Sequence, residues 1–363
     1  MTVNSRYFDR RDVLRLMAGG AGALALQSFA GPASAAVDEI VWATYETTGR
    51  ADYFKPYTAK TGIRAGFSYI TSDDALFAAL KAGSADNWDV LNPGLNGLSR
   101  YVKGGLLHAI DYDKLPNAAS MYKPFKTAAA IHGDDGKSYG VPYLWGLNPI
   151  VYRSDVYDKE PDYNTLFDPK YSGQLAMHDF ALEGVVIAAL HLGIPRDKVF
   201  DLGTPELTEI KKALLAQKPL LRTYWQTISD LTNLFATNEV TCAFCWRVPY
   251  DALKDKMKVA MAKPKAGIFG WCDCLAIPAG LPDDRLDAAL GFIDYLLGPE
   301  FALDMEQGPV YSTTTPVIRD QLTVAQQANI FVDDLSIMDS FIWPVNPPNY
   351  ADWLKLWNDV KAS

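Results

Sequence analysis

The 363-residue sequence predicts an α/β protein with two lobes joined by two extended crossings. In the first part of the chain, strand-like apolar runs alternate with amphipathic helical segments, and this β-α-β order builds a parallel sheet with covering helices. A second segment of similar character follows. Two long apolar stretches, 139–152 and 267–278, separate these patterns. A chain that passes twice between two α/β halves predicts a cleft between them.

The first α/β segment contains predicted strands at 39–44, 63–70 and 89–91, and predicted helices at 49–61, 72–83 and 98–105. Gly62 ends the first helix, and Ser72 or Asp73 caps the second. Ligands of parallel sheets bind where the strands end. The residues 45–47 and 92–96 are therefore predicted to share one rim.

The second α/β segment runs from about residue 154 to residue 246. Its predicted elements are helices at 182–192, 204–215 and 226–238 and a strand at 240–246. A predicted helix at 286–297, ended by Gly298-Pro299, resumes the strand–helix alternation of the first α/β segment. Near the end, the helical spacing of four residues predicts a buried stripe: Trp353, Leu356, Trp357 and Val360. The predicted division is 36–147 and 274–320 for lobe 1, and 148–273 and 321–363 for lobe 2.

Residues 1–35 are predicted to be an export signal. Arg10-Arg11 precede the apolar run 16–30, and the small residues of 33–35 form a cleavage motif. The paired arginines favour the twin-arginine route, with an ordinary secretory signal as the alternative. The run is shorter than the ~20 apolar residues that span a bilayer. We therefore expect a periplasmic protein without direct membrane insertion.

The net charge of −9 limits the possible partners. An acidic surface repels nucleic acid and anionic lipid, and it mildly favours cationic ligands. We expect a soluble monomer that binds no nucleic acid.

The four cysteines, Cys242, Cys245, Cys272 and Cys274, have C-x-x-C and C-x-C spacing. Three interpretations are open: inert buried thiols, one cross-strand disulfide, or a zinc site with four thiolates. Each pair lies in an apolar, strand-like run rather than a Gly-rich knuckle. The four histidines are scattered, without the spacing of metal ligands.

Four motifs, in order, resemble the periplasmic substrate-binding proteins of polyamine-type (spermidine/putrescine) ABC importers. The motifs are Trp88-Asp89-Val90 leading to Gly105–Asp111, Val141–Gly146, Pro169–Gly173 and Gly267–Pro278. The resemblance covers nearly all of the chain after the export signal. It implies a two-lobed periplasmic-binding-protein fold (type II) with two hinge crossings, a cleft that closes on its ligand, and a membrane permease as partner. It implies no cofactor and no bound metal.

The resemblance also implies the ligand site, in which aromatic rings hold an amine and carboxylates bind its ammonium ends. An ammonium removed from water needs charge-assisted acceptors, and ring faces add cation–π attraction of ~0.5–2 kcal/mol each. The matching positions are Tyr45, Glu46, Asn96, Glu183, Trp246, Trp271, Asp273 and Tyr311. Three positions depart from the family pattern. Phe180 replaces one acid, and Gly94 with Asn96 replaces a small hydroxyl residue and an aromatic one.

Arg247, directly after Trp246, changes the expected ligand. A guanidinium repels a polyamine but forms a bidentate pair with a carboxylate. Asp273 and Arg247 would then hold the two ends of an amino-carboxylate, which favours 4-aminobutyrate over putrescine or spermidine. Alternatively, Arg247 points out of the cleft or pairs with Glu183, and Glu183 only complements the dipole of its helix. Trp145 is predicted to pack in the hinge.

Two other functional classes have little support in the sequence. A hydrolase needs a nucleophile and a base, but neither a Gly-x-Ser-x-Gly nor a His-Glu-x-x-His motif is present. An iron carrier of the same architecture would use adjacent tyrosines at the cleft turn, where this chain has none. We therefore expect a binding protein without enzymatic activity.

Overall fold

The computed structural model describes residues 37–332 and 334–363, so the predicted export signal lies outside the described residues. The strands are β1 Glu39–Thr44, β2 Arg64–Tyr69, β3 Val90–Leu91, β4 Leu107–His108, β5 Val141–Asn148, β6 Ile150–Arg153, β7 Leu175–His178, β8 Leu221–Trp225, β9 Cys242–Phe244, β10 Val259–Ala262, β11 Ile268–Leu275, β12 Ile277–Pro278, β13 Ser312–Thr313 and β14 Phe341–Ile342. The α-helices are α1 Lys55–Thr61, α2 Asp73–Lys81, α3 Leu98–Lys103, α4 Lys123–Lys126, α5 Ala181–His191, α6 Thr204–Gln217, α7 Ile228–Ala236, α8 Val248–Leu253, α9 Asp283–Leu296, α10 Pro299–Gln307, α11 Val324–Asn329 and α12 Tyr350–Ala362. Among these described helices, none has the length and apolar character needed to cross a bilayer.

The first sheet has the strand order β2-β1-β3, and its pairs are parallel as predicted. The predicted cap forms at Ser72, whose side chain accepts a hydrogen bond from the backbone N–H of Ala75. Gly62 ends α1 with a φ of 77°, a left-handed conformation that suits glycine. Trp42 of β1 lies in the core, and Phe54, Tyr143, Phe292 and Phe301 surround it edge-on.

The two predicted crossings pair with each other in a separate sheet of order β13-β5-β11-β14, which we call the hinge sheet. β5 and β11 are antiparallel, with Asn148 opposite Phe269 at one end and Val141 opposite Leu275 at the other. Trp145 of β5 is fully buried, and its indole N–H donates to the Thr313 carbonyl over 2.9 Å. The predicted packing role of Trp145 is confirmed.

The second sheet has the order β10-β6-β9-β7-β8. The strands β7, β8 and β10 of this sheet were not predicted from the sequence. β7 (Leu-Ala-Met-His) lacks β-branched residues and has no strong strand pattern. β8 holds strand-favouring residues, but its five residues lie between two helices and form only a short pattern. α5 and α6 cover this sheet together with α12, whose predicted stripe of four residues is buried.

Separate hydrophobic cores accompany the first and second sheets, consistent with two lobes. The lobe boundaries by residue remain predictions. One segment predicted for lobe 2 shares a hydrophobic cluster with α10: Leu322, Ile330 and Val332 are grouped there with Ala302. All four cysteines are free and buried. β9 and β11, which carry three of the four, are not paired with each other.

Candidate functional site

One face of the hinge sheet, which we call the slot face, carries two of the predicted ligand residues, Trp271 and Asp273. Side chains alternate between the two faces of a strand. Trp271 lies opposite Gly146, and Asp273 lies opposite Leu144. The Trp271 ring covers Gly146 so closely that a Cβ there would be 2.7 Å from it. Gly146 therefore leaves the space that the indole occupies on this face.

Asp273 is the acidic side chain beside Trp271 on the slot face. Its carboxyl group has no ion-pair partner within residues 37–332 and 334–363. Burial, and secondarily the nearby Asp73, raises the pKa of Asp273 to about 8, although a hydrogen bond from Asn92 opposes the shift. A carboxylate in this position needs a cation to balance its charge.

Aromatic rings accompany Asp273. Tyr311 packs edge-on against Trp271, with ring centroids 5.0 Å apart, and its hydroxyl lies 3.5 Å from the Thr47 hydroxyl oxygen. Burial, and the charge of Asp273, raise the pKa of Tyr45 well above its ordinary value. Burial also raises the pKa of Tyr311 to about 12. Both phenols are therefore neutral near pH 7, so neither competes with Asp273 for a cation as a charged group.

The turn at 92–97 is fixed against β11. Leu95 donates to the Cys272 carbonyl and Cys274 donates to the Pro93 carbonyl, each over 2.8 Å, and Gly94 bridges to Asp273. Asp73 supports the turn from α2, because its carboxylate accepts from the Gly94 N–H over 3.1 Å. The same carboxylate accepts from the Tyr101 hydroxyl and pairs with Arg100.

A second group of residues lies at the lobe 2 end of the slot face. Asn148 of β5 donates to Glu183 over 2.8 Å, and the other Glu183 oxygen accepts from His178 Nδ1 over 2.7 Å. The His178 ring stacks on Trp225 at 4.2 Å, and Trp246 packs edge-on against both rings. Asn148 is two residues after Gly146, so Glu183 reaches the same face of the hinge sheet as Trp271.

Arg247 does not join this group. It lines a cavity of about 180 Å³ together with Leu147 and Ile268. Leu147 neighbours Gly146 in the strand, so its side chain points away from the slot face. The guanidinium donates to Asp251 over 2.7 Å and also to the backbone and side-chain oxygens of Asn329. The structure thus places Arg247 behind the hinge sheet, and it pairs with neither a slot residue nor Glu183.

Two further predicted ligand residues lie at the edge of the slot. Glu46 is exposed, and Asn96 is half-buried in the turn beside Gly94. Sequence reasoning missed Asn148, His178 and Trp225. His178 and Trp225 end strands β7 and β8, which were not predicted, so the rule that ligands bind at strand ends was not applied to them.

Comparisons with known proteins agree with this architecture. Residues 52–331 match the family model of the bacterial extracellular solute-binding proteins. The spermidine/putrescine-binding periplasmic protein of Escherichia coli (strain K12) is 27% identical over 329 residues, covering 88% of this chain and 89% of the relative. A putrescine-binding periplasmic protein of Pseudomonas aeruginosa (strain UCBPP-PA14) is also 27% identical and covers 77% of this chain and 79% of its own length.

Solved structures share the fold. A putative spermidine/putrescine ABC transporter protein from Listeria monocytogenes superposes with a TM-score of 0.78 at 21% identity, covering 89% of this chain and 99% of that one. The Atu4243-GABA receptor superposes with a TM-score of 0.70 at 20% identity, covering 89% and 97%. These likenesses confirm the predicted two-lobed binding-protein fold. Together with the family match over most of its length, they establish that the chain belongs to the bacterial extracellular solute-binding proteins.

Proposed function

We propose that this protein captures a small ligand with a cationic nitrogen outside the cytoplasm and delivers it to the permease of an ABC importer. The observation that carries the proposal is Asp273, a carboxyl group with a raised pKa beside Trp271 and Tyr311 and without an ion-pair partner in the described part of the chain. An ammonium group would supply the missing charge, and the rings would add cation–π attraction. The mechanism is lobe closure, because a ligand that contacts both lobes stabilises the closed state.

A diamine such as putrescine is the first candidate ligand. Asp273 and Glu183 place one acid at each end of the slot face, which matches an ammonium at each end of the ligand. Curated relatives that match most of this chain are spermidine/putrescine-binding proteins. Arg247, whose charge would oppose a second ammonium, lies behind the hinge sheet.

An ω-amino acid such as 4-aminobutyrate is the second candidate. Phe180 occupies the position at which the resemblance implies another acid, and its ring is 5.9 Å from His178. Both oxygens of Glu183 already accept hydrogen bonds from Asn148 and His178, so Glu183 does not require an ammonium partner. A carboxylate at this end would use His178 or backbone N–H groups as donors, since Arg247 is held elsewhere.

Titration calorimetry with putrescine, spermidine, 4-aminobutyrate, n-butylamine and butyrate tests the proposal. We expect measurable binding of at least one compound with an ammonium group and no binding of butyrate, which lacks one. Stronger binding of putrescine than of 4-aminobutyrate would select the diamine, and the reverse would select the amino acid. Butyrate binding as tightly as every amine would contradict the assignment of Asp273 as the ammonium site.

The affinity for an amine is expected to rise with pH up to about 8. The unliganded Asp273 carboxyl, with a pKa of about 8, is largely protonated at pH 6, whereas the complex with an ammonium requires the carboxylate. Binding below pH 8 therefore releases a proton, and the affinity should increase by up to about tenfold per pH unit. Above pH 8 the affinity should level off, and it should fall near pH 10 as the ligand loses its proton.

Calorimetry at pH 6, 7 and 8 in two buffers of different ionisation enthalpy measures this proton release. Asp73, whose charge acts on Asp273, is paired with Arg100, and the phenols of Tyr45 and Tyr311 stay neutral in this range. Asp273→Asn should remove the pH dependence together with most of the binding. An affinity that does not change between pH 6 and pH 8 would contradict the raised pKa of Asp273.

We further propose three properties of the protein that accompany this function. The protein acts as a binding subunit without enzymatic activity, as its solute-binding relatives suggest. It is a monomer that does not bind nucleic acid, which its net charge of −9 supports. It reaches the periplasm through the twin-arginine route, for which the support is the Arg10-Arg11 pair ahead of the apolar run.

A further inference from the structure

The contact between Arg247 and Asn329 joins the two lobes behind the hinge sheet. Arg247 precedes α8, which packs against α7 and β10 of lobe 2. Asn329 ends α11, which is anchored to α10 of lobe 1 by a hydrogen bond from Gln326 to Glu306. The hydrophobic contacts of Ile330 with Ala302 hold the same segment. The guanidinium therefore connects two bodies that move when the cleft closes.

The guanidinium is well suited to be a structural link. Its side chain is only 7% exposed, and Asp251, one turn later, accepts from it at 2.7 Å and 3.3 Å. Asp251 thus balances the charge and aims the remaining N–H groups at Asn329. On the Asn329 side, the backbone carbonyl accepts from Nη1 and the amide oxygen accepts from Nη2. The two donors of one planar group hold the end of α11 in a fixed orientation.

The position of this contact determines how it responds to cleft movement. The slot face and the Arg247 contact lie on opposite faces of the hinge sheet, so a hinge rotation that closes the cleft separates the groups behind it. The cavity of about 180 Å³ beside Arg247 is lined from both lobes, by Met261 and Lys263 on one side and Ala328 and Phe331 on the other. Its walls can therefore move relative to each other without expelling packed side chains.

We propose that the Arg247–Asn329 contact is a latch that opposes closure and thereby sets the ligand affinity from behind the hinge. This inference rests on the proposed ligand-driven closure of the cleft. The observed affinity is the intrinsic affinity of the closed form multiplied by the fraction of molecules that can close. A weaker latch raises that fraction, and a stronger latch lowers it, although no residue of the latch touches the ligand.

Two substitutions at one position test the latch in opposite directions. Asn329→Ala removes the side-chain acceptor, and we expect it to tighten putrescine binding by about 3- to 10-fold. Asn329→Asp replaces the amide with a carboxylate that pairs more strongly with Arg247, and we expect a weakening of similar size. Ala325→Ser, at an exposed position on the same helix, is the matched control and should leave the affinity unchanged.

A ligand-free measurement separates this inference from the identity of the ligand. Spin labels on cysteines introduced at the exposed Ser99 and Ser229, one in each lobe, report the distance between the lobes. Asn329→Ala should shift the unliganded distribution towards the closed distance, and Asn329→Asp should shift it towards the open one. Unchanged distributions in both variants would overturn the latch, whether or not putrescine binds. If the distance distributions shift but no variant binds putrescine, the latch is supported and the proposal of a diamine ligand is contradicted.

Discussion

Asp273→Asn is expected to abolish amine binding while it stabilises the unliganded protein. Loss of the carboxylate that binds the ammonium beside Trp271 should cost about 2–5 kcal/mol of binding free energy, a decrease in affinity of at least ~30-fold. Removal of a carboxyl group whose pKa is raised to about 8 should increase the free energy of unfolding by about 0.5–2 kcal/mol near pH 8.

The sign of the stability effect follows from the pKa. The folded protein holds the Asp273 proton up to about pH 8, whereas the unfolded chain releases it near the ordinary value of 3.8. The contribution of Asp273 to the free energy of unfolding of the wild type is at its maximum below about pH 4, and it declines as the pH rises towards 8. The advantage of Asp273→Asn should therefore grow from pH 5 to pH 8.

Urea unfolding at pH 5, 6, 7 and 8, together with calorimetry, checks both effects. Asp255→Asn makes the same side-chain replacement at an exposed position and should alter neither the stability nor the affinity. If Asp273→Asn bound the amine as the wild type does, the proposed site would be wrong. If the variant were less stable at pH 8 than at pH 5 relative to the wild type, the direction of the pKa shift would be wrong.

Trp145→Ala is expected to cause the largest loss of stability. The indole is fully buried and packs between the rings of Phe125, Phe331 and Phe341, with centroid distances of 5.7–6.1 Å. Deleting so large a buried ring typically costs about 3–5 kcal/mol, and the Thr313 carbonyl also loses its hydrogen-bond donor. Trp145→Phe keeps a ring in place and should cost less, about 1–2 kcal/mol from the lost hydrogen bond.

The matched control for this prediction is Trp246→Ala. Trp246 is half-buried and packs against His178 and Trp225 at the lobe 2 end of the slot face. Its removal should weaken amine binding with little change in the urea midpoint, whereas Trp145→Ala should shift the midpoint strongly. Equal midpoints for Trp145→Ala and the wild type would show that Trp145 does not support the hinge.

Much of the fold was predictable because local patterns coincide with the tertiary structure. The apolar run at 39–44 forms β1, and Ser72 caps α2 as its side-chain chemistry favours. The two apolar crossings form β5 and β11 of the hinge sheet. The strand β7 was missed because its stability comes from its neighbours β9 and β8 rather than from its own strand propensity. β8 was missed because its five residues form only a short pattern between two helices.

The site was predictable where a residue lies within a long strand. Trp271 and Asp273 are two apart in β11, so alternation places both on one face of the hinge sheet. The partners of Glu183 could not be predicted, because Asn148 and His178 approach it from two other strands. His178 also carries no spacing that distinguishes it from a histidine on the surface.

The sequence by itself determined the two α/β lobes, the two crossings and the pairing of an acid with aromatic rings in one strand, since these depend on the period of side chains along a continuous segment. The tertiary structure decided the side of the hinge on which Arg247 lies, and with it the charge of the ligand site. A residue just beyond the end of a strand has no fixed face, so its direction depends on the partners it finds. For Arg247 these are Asp251, one turn away, and Asn329, more than eighty residues away along the chain.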